Sequence, residues 1–486
     1  MAPVLRALGF ILHIPSAMAL LSAGVCLAFD EMAGLPGFGA TLLVGLLLGQ
    51  TLLALTREAG PPEQRHAMLV AALAWLVVPL TTTLPFLATA RMLGPEAGAA
   101  AVFLRFDNAL FEALSGITST GLSVVPQPSG LPRHLQWWRS FSEWVGGIGV
   151  VVLLLAVLSP DRSALYLFFA EGREEKILPT VKSTVRAIWG IFLLLTGLGF
   201  LLLWGAGEPP WQALNHAMTA IATGGFTITD NSLAASGAAA KAVYLLLMIA
   251  GAASFLLHYR LLREGAASTV LAGTETRFFG GVLVVGAGIV ALENLHQTPP
   301  IGLLDSALQW VSALTTTGFS STPLAAWPAA PLLWLVLAML MGAMAGSTGS
   351  GIKQRRVALL LASIGWNIRS LRRTPREVAT YPFDRRRLPE EEAAHLIRTA
   401  TTMAAAYLLV WLAGVFALLH LGPENAALRH VLFEAASAQG NVGLSAGLTG
   451  PDLGRDAKGI LMALMWAGRL EIFPVLLLAA YVLGRR

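Results

Sequence analysis

Charge is scarce in this chain. Asp, Glu, Lys and Arg supply 13% of its 486 residues, and apolar residues supply 55%. A soluble domain carries about 25% charged residues, so a water-exposed globule of this size is excluded. Cysteine is nearly absent. The single thiol, Cys26, rules out an internal disulfide framework and a cysteine-held metal within the chain. Enzyme signatures are missing as well: there is no H-E-x-x-H, no G-x-S-x-G, and no carboxylate pair beside an acceptor site. The chain is therefore expected not to be an enzyme, and no cofactor is expected in it. A formal net charge of +5 does not indicate a nucleic-acid partner, because the basic residues are spread over short connections rather than gathered in one patch.

What the sequence has instead is long apolar runs. A membrane-spanning helix needs about 20 apolar residues. Ten runs qualify, near 5–29, 38–56, 66–90, 136–158, 183–205, 240–263, 277–297, 331–364, 396–421 and 459–483. The first is read as a retained helix, since it has no strongly basic start and no clear small-residue cleavage site. Four shorter, half-polar segments lie near 104–117, 211–222, 303–315 and 427–439. They are too short to cross and suit re-entrant half-helices, whose backbone must be shielded by protein or face water. With a cytoplasmic N-terminus, 24 of the 33 Lys and Arg residues fall on the cytoplasmic side. That bias matches the positive-inside rule, makes both termini cytoplasmic, and puts all four half-helices on the outer side. The largest cytoplasmic surface runs from Lys353 to Arg398.

Four glycines align: Gly121, Gly225, Gly318 and Gly443. The residues before them are Thr118-Ser119-Thr120, Ala222-Thr223-Gly224, Thr315-Thr316-Thr317 and Gly440-Asn441-Val442. Leu or Phe follows each glycine, and then Ser or Thr. Six residues before each glycine stands a hydroxyl: Ser115, Thr219, Ser312, Ser437. Nine before stands a larger polar group: Glu112, His216, Gln309, Glu434. Positions three apart share a helix face, so each half-helix presents both groups on one side, placed to brace the loop from behind. One such loop would be read as close helix packing. Four in one register point to a site.

The chemistry expected of that site is cation conduction. An ion leaving water needs substitute oxygens, which rings of backbone carbonyls supply. Glycine permits the required backbone angles. Each half-helix ends just before its loop, so its C-terminal dipole end favours a cation there. The loops carry no acidic ring, which makes carbonyls the expected ligands and a weakly hydrated monovalent ion the expected cargo. The second and fourth loops lack the T-x-T pattern, so a fourfold carbonyl geometry is not assumed there.

These residues resemble the Trk/Ktr/HKT superfamily of potassium transporters. The resemblance rests on the T-S-T-G-L, A-T-G-G-F, T-T-T-G-F and N-V-G-L loops. It extends to Trp144–Gly149, Leu257-His258-Tyr259, Gly342–Lys353 and Gly468-Arg469-Leu470-Glu471. Two extra spans before the first unit resemble the TrkH branch. The resemblance implies an all-α polytopic membrane protein with ten transmembrane helices and four re-entrant half-helices. Its units are an N-terminal pair (1–64) and four pore repeats (65–165, 166–265, 266–375 and 376–486). It also implies potassium uptake in a bacterial cytoplasmic membrane, a homodimer among membrane lipid, and a cytoplasmic nucleotide-binding partner (TrkA-like). Four glycines, with no serine in their place, imply potassium rather than sodium.

Two features bear on gating. Gly342, Gly346, Ser347, Thr348, Gly349, Ser350 and Gly351, with Lys353 after them, interrupt the eighth span with residues that weaken a helix. A phosphate-binding loop is excluded, because Lys353 is not in a G-K-[ST] context. The alternatives are a glycine kink or, as the resemblance implies, a mobile loop that blocks the pore. Arg469 lies deep in an apolar run, where an unpaired charge costs at least ~2.5–3.5 kcal/mol. It is expected to face the pore and hydrogen-bond the 342–351 loop, or else to tie two helices. Glu471 is poorly placed to pair with it. A secondary transporter coupled to protons or sodium is the other functional class open here. The basic surfaces at 171–186 and 353–398 fit either topology alone or a docking face for the partner.

Overall fold

A computed structural model describes residues 1–60, 63–149, 180–265, 272–297, 300–372, 380–384 and 386–484. The described helices are α1 (Ala2–Ile11), α2 (His13–Ala28), α3 (Leu35–Leu55), α4 (Gln64–Thr82), α5 (Leu84–Leu93), α6 (Phe106–Ile117) and α7 (Arg133–Ile148). They continue as α8 (Val181–Gly205), α9 (Pro210–Ile221), α10 (Ala238–Ala252), α11 (Phe255–Tyr259), α12 (Thr274–Leu295) and α13 (Leu303–Leu314). The last are α14 (Ala329–Met341), α15 (Gln354–Ser370), α16 (Glu390–Leu421), α17 (Leu428–Gln439), α18 (Arg455–Arg469) and α19 (Phe473–Val482).

The pattern of burial is that of a membrane protein. Leu47, Val284 and Leu409 are 67%, 74% and 66% exposed, whereas Glu112, His216, Gln309 and Glu434 are all 0% exposed. Large apolar side chains cover the outside as well as the core, and strongly polar ones are buried among them, unlike a soluble fold. Among the described residues, six helices, some of them joined end to end, are long and apolar enough to cross a membrane, and eight if two bent pairs each count as one.

Those bent pairs correct the sequence reading. The run at 240–263 is not one straight span: α10 and the helix that follows it meet at 103°. The run at 459–483 breaks more sharply, at 116° between α18 and α19. Glu471 (φ 50°) and Ile472 (φ 71°) form the corner. A β-branched residue at positive φ is strained, and burial of Ile472 at 1% exposure holds it there. The sequence marks the second corner only indirectly, by Arg469, Glu471 and Pro474 inside an otherwise apolar run. The 331–364 run is broken as expected: α14 ends at Gly342 (φ 73°), and α15 begins after Lys353 (φ 82°). The fold is also not wholly helical. Strands β1 (Tyr381–Phe383) and β2 (Arg386–Leu388) pair antiparallel, with Tyr381 opposite Leu388. The second half of the 136–158 run and most of the 171–186 surface lie outside the described residues.

The four half-helices form where expected, as α6, α9, α13 and α17. Each packs on a helix before it and a helix after it in sequence. The following helix also packs on the next half-helix: α7 on α9, α10 on α13, α14 on α17, and α18 on α6. The last contact closes a ring of four units. Close approach depends on glycine. A methyl at Gly146 of α7 would lie 1.8 Å from Ile117 O, and one at Gly468 of α18 would lie 1.7 Å from Gln439 O. The α1–α3 unit lies against α4, α5 and α7.

Candidate functional site

The four loops share one backbone conformation. The first residue after each half-helix is right-handed (Thr118 φ −73°, Ala222 φ −73°, Thr315 φ −78°, Gly440 φ −71°). The next is left-handed: Ser119 54°, Thr223 51°, Thr316 56°, Asn441 50°. The glycine is positive again: Gly121 83°, Gly225 82°, Gly318 89°, Gly443 92°. Alternating right- and left-handed residues collect N–H groups on one side of the chain and carbonyls on the other. Holding threonine left-handed costs about 1–3 kcal/mol per residue, a strain concentrated at these loops. The fourfold backbone thus extends to the second and fourth loops, whose side chains do not repeat the T-x-T pattern.

The N–H groups are satisfied from behind. Thr120, Gly224, Thr317 and Val442 donate to the carbonyls of Ser115, Thr219, Ser312 and Ser437, each at 2.9 Å. The larger polar groups reach the backbone N–H three residues beyond each glycine. Glu112 accepts from Val124 at 3.0 Å, His216 Nε2 from Ile228 at 3.1 Å, and Glu434 from Ala446 at 3.0 Å. The Gln309 carboxamide, with its oxygen set toward two N–H donors, accepts from Ser321 at 3.0 Å and Thr322 at 3.1 Å. Because His216 Nε2 accepts, its Nδ1 carries the proton and donates to Tyr244 Oη at 2.7 Å. The hydroxyls six before glycine share no such role. Ser437 Oγ accepts from Gly443 N at 3.1 Å, Thr219 donates to its own helix, and Ser115 and Ser312 Oγ have no partner among the described residues. In three of the four units the common feature at this position is the backbone carbonyl alone.

Residues the sequence reading did not single out complete the support. Arg139 is 2% exposed; its Nε donates to Glu112 at 2.7 Å and its Nη1 to Thr227 O at 2.8 Å, and its guanidinium lies 4.1 Å from the Phe226 ring centre. Both carboxylate oxygens of Glu143 accept from Phe226 N, at 3.0 and 3.2 Å. Glu143 also explains the departure at Gly224, since a Cβ there would lie 2.5 Å from its carboxyl carbon. Only the buried charges Arg139 and Glu143, one helical turn apart, signalled this in sequence.

The loops form a closed circuit. A methyl on Gly121 would meet Gly224 O at 1.9 Å, on Gly225 Thr317 O at 2.0 Å, on Gly318 Val442 O at 1.9 Å, and on Gly443 Thr120 O at 2.3 Å. Each glycine thus abuts the carbonyl that precedes the next loop's glycine. Thr118 and Thr120 join hydroxyls at 2.7 Å, as do Thr315 and Thr317 at 2.8 Å.

The segment between α14 and α15 sits against these loops. It folds on itself, with Ala343 N donating to Ser350 O at 3.1 Å and Lys353 Nζ to Gly349 O at 2.5 Å. Gly346 O accepts from Phe255 N at 3.1 Å, Ser347 Oγ donates to Met344 O at 2.7 Å, and Gly351 is left-handed at φ 90°. Thr348 Oγ donates to Gly251 O at 2.9 Å, and Gln354 Nε2 to Gly342 O at 2.6 Å. Arg469 hydrogen-bonds the segment and also ties α18 to α7. It donates to Thr348 O at 3.1 Å, and to Gly146 O and Gly147 O of α7 at 2.5 and 2.9 Å. Glu471 pairs with Arg356 instead, at 2.8 Å. A small cavity of about 30 Å³ adjoins the segment, lined by Trp75, Gly147, Thr348, Lys353, Arg469 and Glu471 among others.

Comparison with known proteins gives a consistent result. The family described as TrkH, cation transport protein, matches residues 36–484. An uncharacterized cation transporter of Methanocaldococcus jannaschii is 30% identical over 98% of this chain and 95% of its own. The Trk system potassium uptake protein TrkH of Escherichia coli K12 is 28% identical, covering 98% and 97%. The crystal structure of the potassium transporter TrkH from Vibrio parahaemolyticus superposes with a TM-score of 0.84 at 27% identity, covering 98% of both chains.

Proposed function

Because the chain belongs to the TrkH family of cation transport proteins, we propose that it takes up potassium through the ring of four glycine loops. The observation that carries this reading is the closed circuit in which each glycine abuts the next loop's carbonyl. In this reading the carbonyls of residues 118–121, 222–225, 315–318 and 440–443 replace the hydration shell of the ion. Glycine is required at four points because a side chain there would displace a ligand. The half-helix C-termini add a favourable field for a cation.

The 342–353 segment is the gate in this proposal. Arg469 holds it through Thr348 and adds a positive charge beside the cavity, so release of that contact opens the path. Transport is placed in a bacterial cytoplasmic membrane, with the protein as a homodimer among lipid. A cytoplasmic nucleotide-binding subunit is proposed to act through the 353–398 face. Support for that route comes from Glu275, which accepts from Ala345 N at 2.7 Å. The neighbouring Thr274 accepts from Asp384 N at 3.2 Å in the β1–β2 turn.

The test is ion flux into liposomes holding the purified protein, comparing potassium, rubidium, sodium and lithium, with a Gly121→Ser variant alongside. Potassium and rubidium are expected to pass well and sodium poorly, and the variant to lose that preference. Equal passage of all four ions in the parent would overturn the proposal.

A further inference from the structure

Four buried side chains occupy the left-handed position two residues before the ring glycines, and each reaches sideways. Two of them join neighbouring loops. Asn441 Nδ2 donates to Thr120 Oγ at 2.8 Å, tying loop four to loop one, and Ser119 Oγ donates to Ala222 O at 2.9 Å, tying loop one to loop two. The other two reach the segment between α14 and α15. The Thr223 hydroxyl lies 3.2 Å from Thr348 Oγ and 2.8 Å from Ala222 O of its own loop, and Thr316 Oγ accepts from Ser350 N at 3.0 Å. Among the hydrogen bonds of the described residues, none joins the Thr223 side chain to loop three or the Thr316 side chain to loop four. The segment also presses on loop three directly, since a methyl on Gly349 would lie 2.9 Å from Thr316 Oγ and 3.1 Å from Thr315 O.

At this side-chain position loops four, one and two brace one another while loops two and three reach the segment; past their glycines, loops two and three meet through Leu233 N to Ser320 O at 2.8 Å and Ser320 N to Ser232 Oγ at 3.1 Å. We propose that Thr223 and Thr316 are positioning residues through which the 342–353 segment forms part of the filter as well as its gate. Displacing the segment relaxes two of the four loops, so opening lowers ion discrimination. The coupling is reciprocal: an ion that fits the ring favours the closed segment. This inference rests on the potassium-filter reading above.

The experiment compares total flux and the rubidium-over-sodium flux ratio in liposomes for the full chain and three variants. Thr316→Val keeps the shape and β-branching of threonine but has no acceptor for Ser350 N, whereas Thr316→Ser keeps the acceptor. Arg469→Gln frees the segment at Thr348 O without touching the four loops. Thr316→Val is expected to raise flux and to lower the ratio roughly fivefold, the factor that one neutral hydrogen bond supplies, and Thr316→Ser to restore both. Arg469→Gln is expected to raise flux with a ratio that falls in the same direction. Higher flux at the parental ratio in Arg469→Gln overturns the inference and leaves the potassium reading standing. Parental flux and ratio in Thr316→Val overturn it as well. No ion preference in the parent would sink the potassium reading itself. If Thr316→Val is recovered only as aggregate, the Arg469→Gln arm decides alone.

Discussion

Removing the Arg139 guanidinium is the sharpest test of how the loops are supported. Its side chain is 2% exposed and that of Glu112 is 0% exposed. Arg139 binds the exit strand of loop one at Ser123 Oγ (3.2 Å) and that of loop two at Thr227 O (2.8 Å). Arg139→Met keeps an apolar stem of similar length but strands the Glu112 charge. Breaking a buried pair by deleting one partner costs about 3–5 kcal/mol. Adding Glu112→Gln removes the stranded charge, although Val124 N and Ser123 Oγ still require an acceptor, which the amide oxygen provides. The double variant is expected to recover about 1–3 kcal/mol, the coupling typical of contacting residues. The assay is apparent stability from denaturant midpoints in detergent for the parent, both single variants and the pair, with flux ratios measured in parallel. A parental midpoint for Arg139→Met would refute the reasoning, and additive single effects would show that the pair is not coupled.

Two further predictions concern packing and pH. Gly468→Ala and Gly146→Ala each place a methyl within 2 Å of a half-helix carbonyl, at 1.7 and 1.8 Å; folded yield is expected to collapse for both, as size-exclusion profiles will report. Gly39→Ala in α3 meets nothing within 4 Å, and a parental profile is expected. At the start of α6, burial raises the pKa of Asp107, but hydrogen bonds from Arg105 and Lys458 outweigh it and leave the carboxyl below its usual 3.8. A depressed carboxyl stabilises above its unfolded pKa and loses that contribution as pH falls through its folded value. Thermal midpoints are therefore expected to be insensitive to this group from pH 5 to 8. They fall below about pH 4, and Asp107→Asn weakens that acid-side dependence.

Much of the site was legible because it repeats. The half-helices form at the predicted places, and Glu112, His216, Gln309 and Glu434 occupy one register and meet the backbone N–H at one register. The hydroxyls at the neighbouring register were misleading. Ser115, Thr219, Ser312 and Ser437 align in sequence, yet only Ser437 bonds its loop through the hydroxyl. Sequence does not separate a hydroxyl that bonds its loop from one that only fills space.

Sequence alone determined that the chain is a membrane protein, that four short helices punctuate its long ones, and where its left-handed turns need glycine. These follow from local chemistry: apolar length, half-polar periodicity and backbone freedom. Tertiary structure decided the rest. It set the 103° and 116° corners, because the angle between two helices depends on what each packs against. It brought Arg139 and Glu143 behind two different loops, and it joined Gly443 to Thr120 across more than 300 positions. A ring closes only when its first and last units meet, and no local stretch of sequence contains that contact.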